Sequence, residues 1–221
     1  MINSFTVIFG FSAFIITFFL IHKSLHIVIK SSSKDNIDKA CQLILYTILV
    51  IFGAIALYQE YESIGKIGAT RFFRLALLYG VSMYAFEIIF LQISRFNQIH
   101  HIYYIILGMI FIYQDYYLAI FPAIYFVELT VIFDLISFLT RKSKTIGFKF
   151  YAFSLMVHGF VWSIPLFLFY LILQDGFPND TFLDSILLIA LSITFLASIG
   201  LANKAPTLIT KFVKYQRDKS P

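Results

Sequence analysis

Residues 5–21 read FTVIFGFSAFIITFFLI, from Phe5 to Ile21, without a single charged side chain. A helix must carry about 20 mostly apolar residues to cross the hydrocarbon core of a bilayer, and this run approaches that length. Comparable apolar stretches recur at residues 40–58, 73–92, 101–113, 118–139, 150–173 and 182–202. The pattern predicts an all-α, polytopic transmembrane bundle of about seven spans. The fourth stretch is short unless His100 and its neighbours join it, so six spans stand as the alternative count. Composition agrees: 60% of the 221 residues are hydrophobic and 13% are charged, at a mean hydropathy of +0.85. A soluble domain carries roughly a quarter of its residues as Asp, Glu, Lys or Arg, so the charge here is too sparse to cover a water-facing surface. Disorder is excluded by the abundance of Phe, Ile, Leu and Tyr. Cys41 is the only cysteine, which excludes an internal disulfide and any Cys-based zinc or iron–sulfur centre.

The net charge of +5 suggests a nucleic-acid partner only until the basic residues are placed, and none is expected. With seven spans, one side receives Lys23, Lys30, Lys34, Lys39, Arg95, Arg141, Lys142, Lys144, Lys149, Lys204, Lys211, Lys214, Arg217 and Lys219. The other side keeps Lys66, Arg71 and Arg74, with Glu60, Glu62, Asp115, Asp175, Asp180 and Asp184. Fourteen of seventeen basic residues therefore share one side, which the positive-inside rule assigns to the cytosol. The N-terminus is expected to be lumenal and the C-terminus cytosolic. The first stretch lacks a basic start and is too long for the core of a cleavable signal. The chain divides into residues 1–39, a first span with a basic cytosolic loop; residues 40–210, a helical membrane domain; and residues 211–221, a short basic tail. Ser31 to Ser33 mark an ordinary hydrophilic turn. Gly53 and Gly108 suit close helix contact, Pro165 predicts a kink, and Tyr58, Tyr116 and Tyr117 read as interfacial anchors.

Ionisable groups inside spans are costly and usually face the protein interior or a water-filled cavity. The candidates are Glu87, His100, His101, Glu128, Asp134 and His158. At 1.5 Å rise per residue, Glu87 lies roughly 8–10 Å from the cytosolic end of its span. The histidine pair sits at a helix mouth on the same side, Glu128 lies near the midplane, and Asp134 lies nearer the cytosol. Glu128 and Asp134 are six residues apart and so point in different directions. His100 and His101 are adjacent, so only one can face a given cavity squarely. Each has a bland alternative. A lone histidine at a helix mouth is most often a hydrated interfacial residue, Glu87 and Asp134 can pair with each other or with basic loops, and His158 can be a satisfied bundle histidine. Five histidines are too few for clustered di-iron boxes. No lysine inside the last span could carry retinal, and haem held by His158 with His100 or His101 is a weak reading. No phosphate loop, nucleophile elbow or zinc-protease motif occurs, and neither a cofactor nor a metal is expected.

His100–His101 opening one span, Glu128 in the next, the run Glu-Leu-Thr-Val-Ile-Phe at 128–133, Tyr84-Ala85-Phe86-Glu87 in the preceding span, and the late Asn203 together resemble the TLC-domain family. That family includes the ceramide synthases and the small TLC-domain proteins. Val131 stands where ceramide synthases carry a second aspartate, and the Ser and His that many members place in the second span are replaced by apolar residues around Leu45 to Val50. The chain is therefore more similar to the small TLC-domain proteins. The resemblance covers residues 40–210 and implies a protein of lipid metabolism in the endoplasmic reticulum, with a mitochondrial or other organellar membrane as the alternative. It implies a catalytic set of His100, His101 and Glu128, with the imidazoles as general base or transient acyl acceptor and Glu128 orienting them. Glu87, Asp134, His158 and Asn203 would line the substrate. Acyl-CoA would approach from the basic side, since its phosphates favour Lys and Arg. The competing reading is a non-catalytic lipid-binding or regulatory protein, a homodimer, or an accessory subunit of a membrane complex.

Overall fold

The computed structural model describes residues 4–30, 32–61, 71–114 and 128–140, with Lys149, Phe153 and Thr210 singly. All regular structure among the described residues is helical: α1 Ser4–Val28, α2 Lys34–Tyr61, α3 Arg71–Phe90, α4 Arg95–Gln114 and α5 Leu129–Leu139. The expected spans at residues 150–173 and 182–202, Pro165, Tyr116 and Tyr117 lie outside the described residues. So does the first part of the 118–139 stretch. The chain forms two compact units, Met1–Leu129 and Thr130–Pro221, a division that no composition shift marks in the sequence.

In the first unit, serines open two of the helices. Ser33 precedes α2, and its Oγ accepts the N–H of Asn36 at 3.4 Å while its carbonyl accepts Ile37 at 3.2 Å. Ser94 does the same for α4, accepting Asn97 N–H on Oγ at 3.2 Å and Gln98 N–H on its carbonyl at 2.9 Å. Such caps satisfy donors that the first turn leaves free. The Ser94 cap places the start of α4 ahead of the fourth apolar stretch. The helix starts at Arg95, so its polar first turns lengthen it to 20 residues and the histidine pair sits inside the helix. Likewise α1 continues through His22 and His26 to Val28, well past the end of its apolar run.

α3 is the hub. Residues 76–87 are buried without interruption, and α3 packs against α1, α2 and α4. From α1, the i, i+4 ridge of Gly10, Phe14, Phe18 and His22 meets it. A Cβ at Gly10 would lie 2.6 Å from Leu78 Cδ2, so the Leu78 side chain occupies the space that the glycine leaves. Phe14 and Phe18 set their rings edge-on to Tyr79 at 5.3 and 5.1 Å, and Phe18 meets Phe86 at 5.8 Å. Tyr79 donates its hydroxyl to the Leu45 carbonyl of α2 at 3.0 Å and takes the Phe52 ring edge-on at 5.1 Å. On the α4 side Gly108 presses against the Val81 side chain, the close contact expected there.

Two helices, α1 over its full length and α2 from Lys34 to Ala56, are long and apolar enough to cross a membrane. Outside its α3-facing ridge α1 exposes large apolar groups, among them Ile8 at 63%, Phe9 at 66% and Leu20 at 59%. Tyr58 is exposed near the end of α2. In the second unit, α5 buries Thr130 and Leu135 and exposes Asp134. Phe133 takes the Phe153 ring edge-on at 4.8 Å, and the Thr140 hydroxyl donates back to the Ile136 carbonyl at 2.7 Å.

Candidate functional site

Helical spacing brings the polar groups of the first unit together. On α2, Asp38, Gln42 and Tyr46 recur every fourth residue and share one face; on α3, Tyr84 and Glu87 are three apart; on α4, His101 and Tyr104 are three apart. Glu87 lies at the centre, with its side chain fully buried. Gln42 donates its amide to Glu87 Oε1 at 3.1 Å, and the Tyr46 hydroxyl donates to Oε2 at 3.3 Å. The Gln42 amide has only one sensible orientation, because Lys39 Nζ donates to its Oε1 at 2.9 Å while its nitrogen faces the carboxylate. An ammonium group near the start of α2 is thus connected by an amide to a carboxylate deep in the bundle.

His101 approaches the same carboxylate from α4, with Nδ1 3.4 Å from Glu87 Oε2. The contact falls short of a hydrogen bond, and this buried nitrogen has no hydrogen-bond partner. Its ring lies against Tyr84 at 4.7 Å with a 34° tilt. Tyr84 in turn donates its hydroxyl to Glu128 Oε1 at 2.8 Å. His100, the less buried of the two, meets the Tyr104 ring edge-on at 4.6 Å. The two histidines therefore do different things, as adjacent helical positions must.

Four of the expected site residues, Glu87, His100, His101 and Glu128, are gathered in this cluster. The roles of the carboxylates differ from expectation. The one beside His101 is Glu87, whereas Glu128 is held by Tyr84. Within the first unit the partners of Glu87 are Gln42, Tyr46 and His101, because those side chains stand on the helices packed against α3. Asp134 is exposed. His158 and Asn203 lie outside the described residues. Sequence reading passed over Gln42, Tyr46 and Asp38 on α2, whose signal is a polar stripe at four-residue intervals through a largely apolar helix. It also passed over His22 and His26.

The Glu87–His101 pair is a carboxylate and an imidazole held in contact away from water, with an amide and a phenol fixing the carboxylate. Such a pair can accept, hold and return a proton, and an unbonded imidazole nitrogen can receive a donor from a bound molecule. No family model, curated protein or solved structure matches this chain.

Proposed function

We propose that this protein is a multi-pass membrane protein of lipid metabolism or homeostasis. In this reading it is a TLC-like bundle of seven spans with a lumenal N-terminus and a cytosolic C-terminus. Its polar cluster acts on the head group of an acylated substrate. The observation that carries the reading is the buried, unbonded His101 Nδ1 standing 3.4 Å from Glu87. An unsatisfied polar group inside an apolar bundle is destabilising, and such groups concentrate where a substrate completes the bonding. His101 then serves as general base or transient acyl acceptor, Glu87 orients it, and Tyr84 with Glu128 forms a second polar wall. The basic loops favour acyl-CoA as donor, and the family resemblance favours the endoplasmic reticulum over a mitochondrial membrane. The test compares cellular lipid profiles of His101→Ala, Glu87→Gln, His100→Ala and Glu128→Gln at matched protein level. A changed profile in His101→Ala and Glu87→Gln is expected, with His100→Ala weaker. Four unchanged profiles remove the enzymatic reading.

One observation favours a non-catalytic alternative. Both oxygens of Glu87 already have donors in Gln42 and Tyr46, and Glu128 has Tyr84, which suits a polar lock between helices. A lipid-binding protein or an accessory subunit would use the cluster in that way. Migration in a gentle-detergent gel separates these two: a discrete assembly far above 25.6 kDa plus micelle marks a subunit, and a lone chain with lipid attached marks a carrier or enzyme.

A further inference from the structure

A second polar cluster lies apart from the one assigned above, where α1 ends and α2 begins. His22 Nε2 and Asp38 Oδ1 are 2.8 Å apart and both side chains are buried, at 9% and 4% exposure. His26, one turn further along α1, sets its ring edge-on to His22 with centroids 4.7 Å apart. One donor atom from each of His22, His26 and Asp38 can be chosen so that all three lie within 4.8 Å of one another. From this geometry we infer that His22, His26 and Asp38 form a transition-metal site of the zinc type, with three protein ligands and an open fourth position.

The chemistry of the donors points the same way. Two imidazoles and one carboxylate suit zinc and its neighbours, while calcium and magnesium take oxygen-only sets. Histidines at i and i+4 present both rings on one helix face, and a residue from a neighbouring helix completes a facial triad, as three-ligand zinc sites require. Zinc binds nitrogen and oxygen at about 2.0–2.2 Å, which sets tetrahedral donors about 3.4 Å apart, so the site forms by small side-chain adjustments that part the His22–Asp38 contact slightly and draw the third donor in. Asp38 supplies an observation independent of this spacing. Its second oxygen, Oδ2, is buried with no hydrogen-bond partner, and a carboxylate oxygen in that position needs a cation or a donor. Lys23 and Lys39, the lysines adjoining His22 and Asp38 in sequence, are engaged elsewhere: Lys23 lies over the Phe19 ring at 5.3 Å and Lys39 donates to Gln42. The Phe86 ring stands 6.2 Å from His22 and walls the inner side, whereas His26 is only partly buried, which leaves an approach for the ion and its water. The proton shared by His22 and Asp38 is displaced when the ion enters, as metal binding to a protonated ligand demands.

The test uses the full chain, purified in detergent with a non-histidine tag, stripped with EDTA and desalted. Zinc is added, excess is removed, and metal per chain is measured; cobalt is titrated separately and followed by its visible absorption. The expected result is one zinc per chain and a cobalt spectrum of four-coordinate type that zinc abolishes. Removing an outer partner of a metal ligand alone costs about tenfold to a hundredfold in affinity, so His26→Ala is expected to weaken binding at least tenfold. His26 makes no bond that ties α1 to α2, so its variant keeps the helical circular dichroism of the parent even where Asp38→Asn does not fold. His100→Ala serves as the control and retains the zinc. Absence of zinc from the parent overturns the site, as does zinc that His26→Ala retains in full. A helix clamp made by His22 and Asp38 alone is then what remains.

Discussion

α1 and α3 are both rich in Phe, Leu and Ile, yet they live in opposite surroundings. α1 sinks one ridge into the protein and turns Ile8, Phe9, Ile16, Leu20 and Ile27 outward. α3 is enclosed on all sides from residue 76 to 87. The enclosed helix carries Tyr79, Ser82, Tyr84 and Glu87, all buried, while the outward side of α1 shows large apolar groups with no acidic residue among them. Water-soluble proteins arrange the two the other way round. Protein side chains and backbone satisfy what α3 brings, through Gln42, Tyr46, Glu128 and the carbonyls of Leu45 and Leu78. An apolar medium is the natural neighbour of what α1 displays, since exposed apolar area of that extent is otherwise an aggregation hazard.

The contrast is open to direct attack. Phe86, fully buried against Phe18, His22 and Phe90, should lose about 3–5 kcal/mol on change to Ala, read as a lowered melting temperature in detergent. Phe9→Ala, on the outward side of α1, should stay within about 0.5 kcal/mol of the parent; equal losses at both positions would erase the distinction. Ile16→Lys should make insertion of α1 less favourable by about 3–4 kcal/mol, measurable with a glycosylation reporter in microsomes. Unimpaired insertion would mean that this face meets something other than lipid. Gly108→Val forces a side chain into Val81 and should cost about 1–3 kcal/mol by overpacking, again in a detergent melt. Tyr84→Phe, the mildest change, removes one hydrogen bond to Glu128 and should cost about 1 kcal/mol; its effect on the lipid profile tells whether the bond has a role beyond holding the helices.

The helical character of the described residues was readable from residue order, for a simple reason: long apolar runs with no strand-like alternation announce helices. The start of α4 was harder, because Arg95, Asn97 and Gln98 look like loop, and only the serine cap before them reveals a helix that begins in polar sequence. The partners of Glu87 were not readable at all. Periodicity says which residues share a face of one helix, whereas Gln42, Tyr46 and His101 reach Glu87 through packing between helices separated by dozens of residues. His22 and His26 escaped notice because the apolar run ends at Ile21 and the helix does not. Glu128 stood out as a lone acid in an apolar stretch, but its bond to Tyr84 depends on a contact across 44 positions that no local pattern encodes.

The central place of α3 also bears on how the chain is made. The ribosome delivers α1 and α2 before α3, so Gln42 and Tyr46 are waiting when Glu87 emerges, and the acid need never stand without donors. Tyr84 is served differently, since Glu128 is synthesised later, after α4 has followed. A nascent chain halted just beyond Phe90 would thus already shelter its acid, while its phenol still awaited an acceptor. Early packing of the first three helices, followed by later docking of the fourth, is the assembly order that this timing favours.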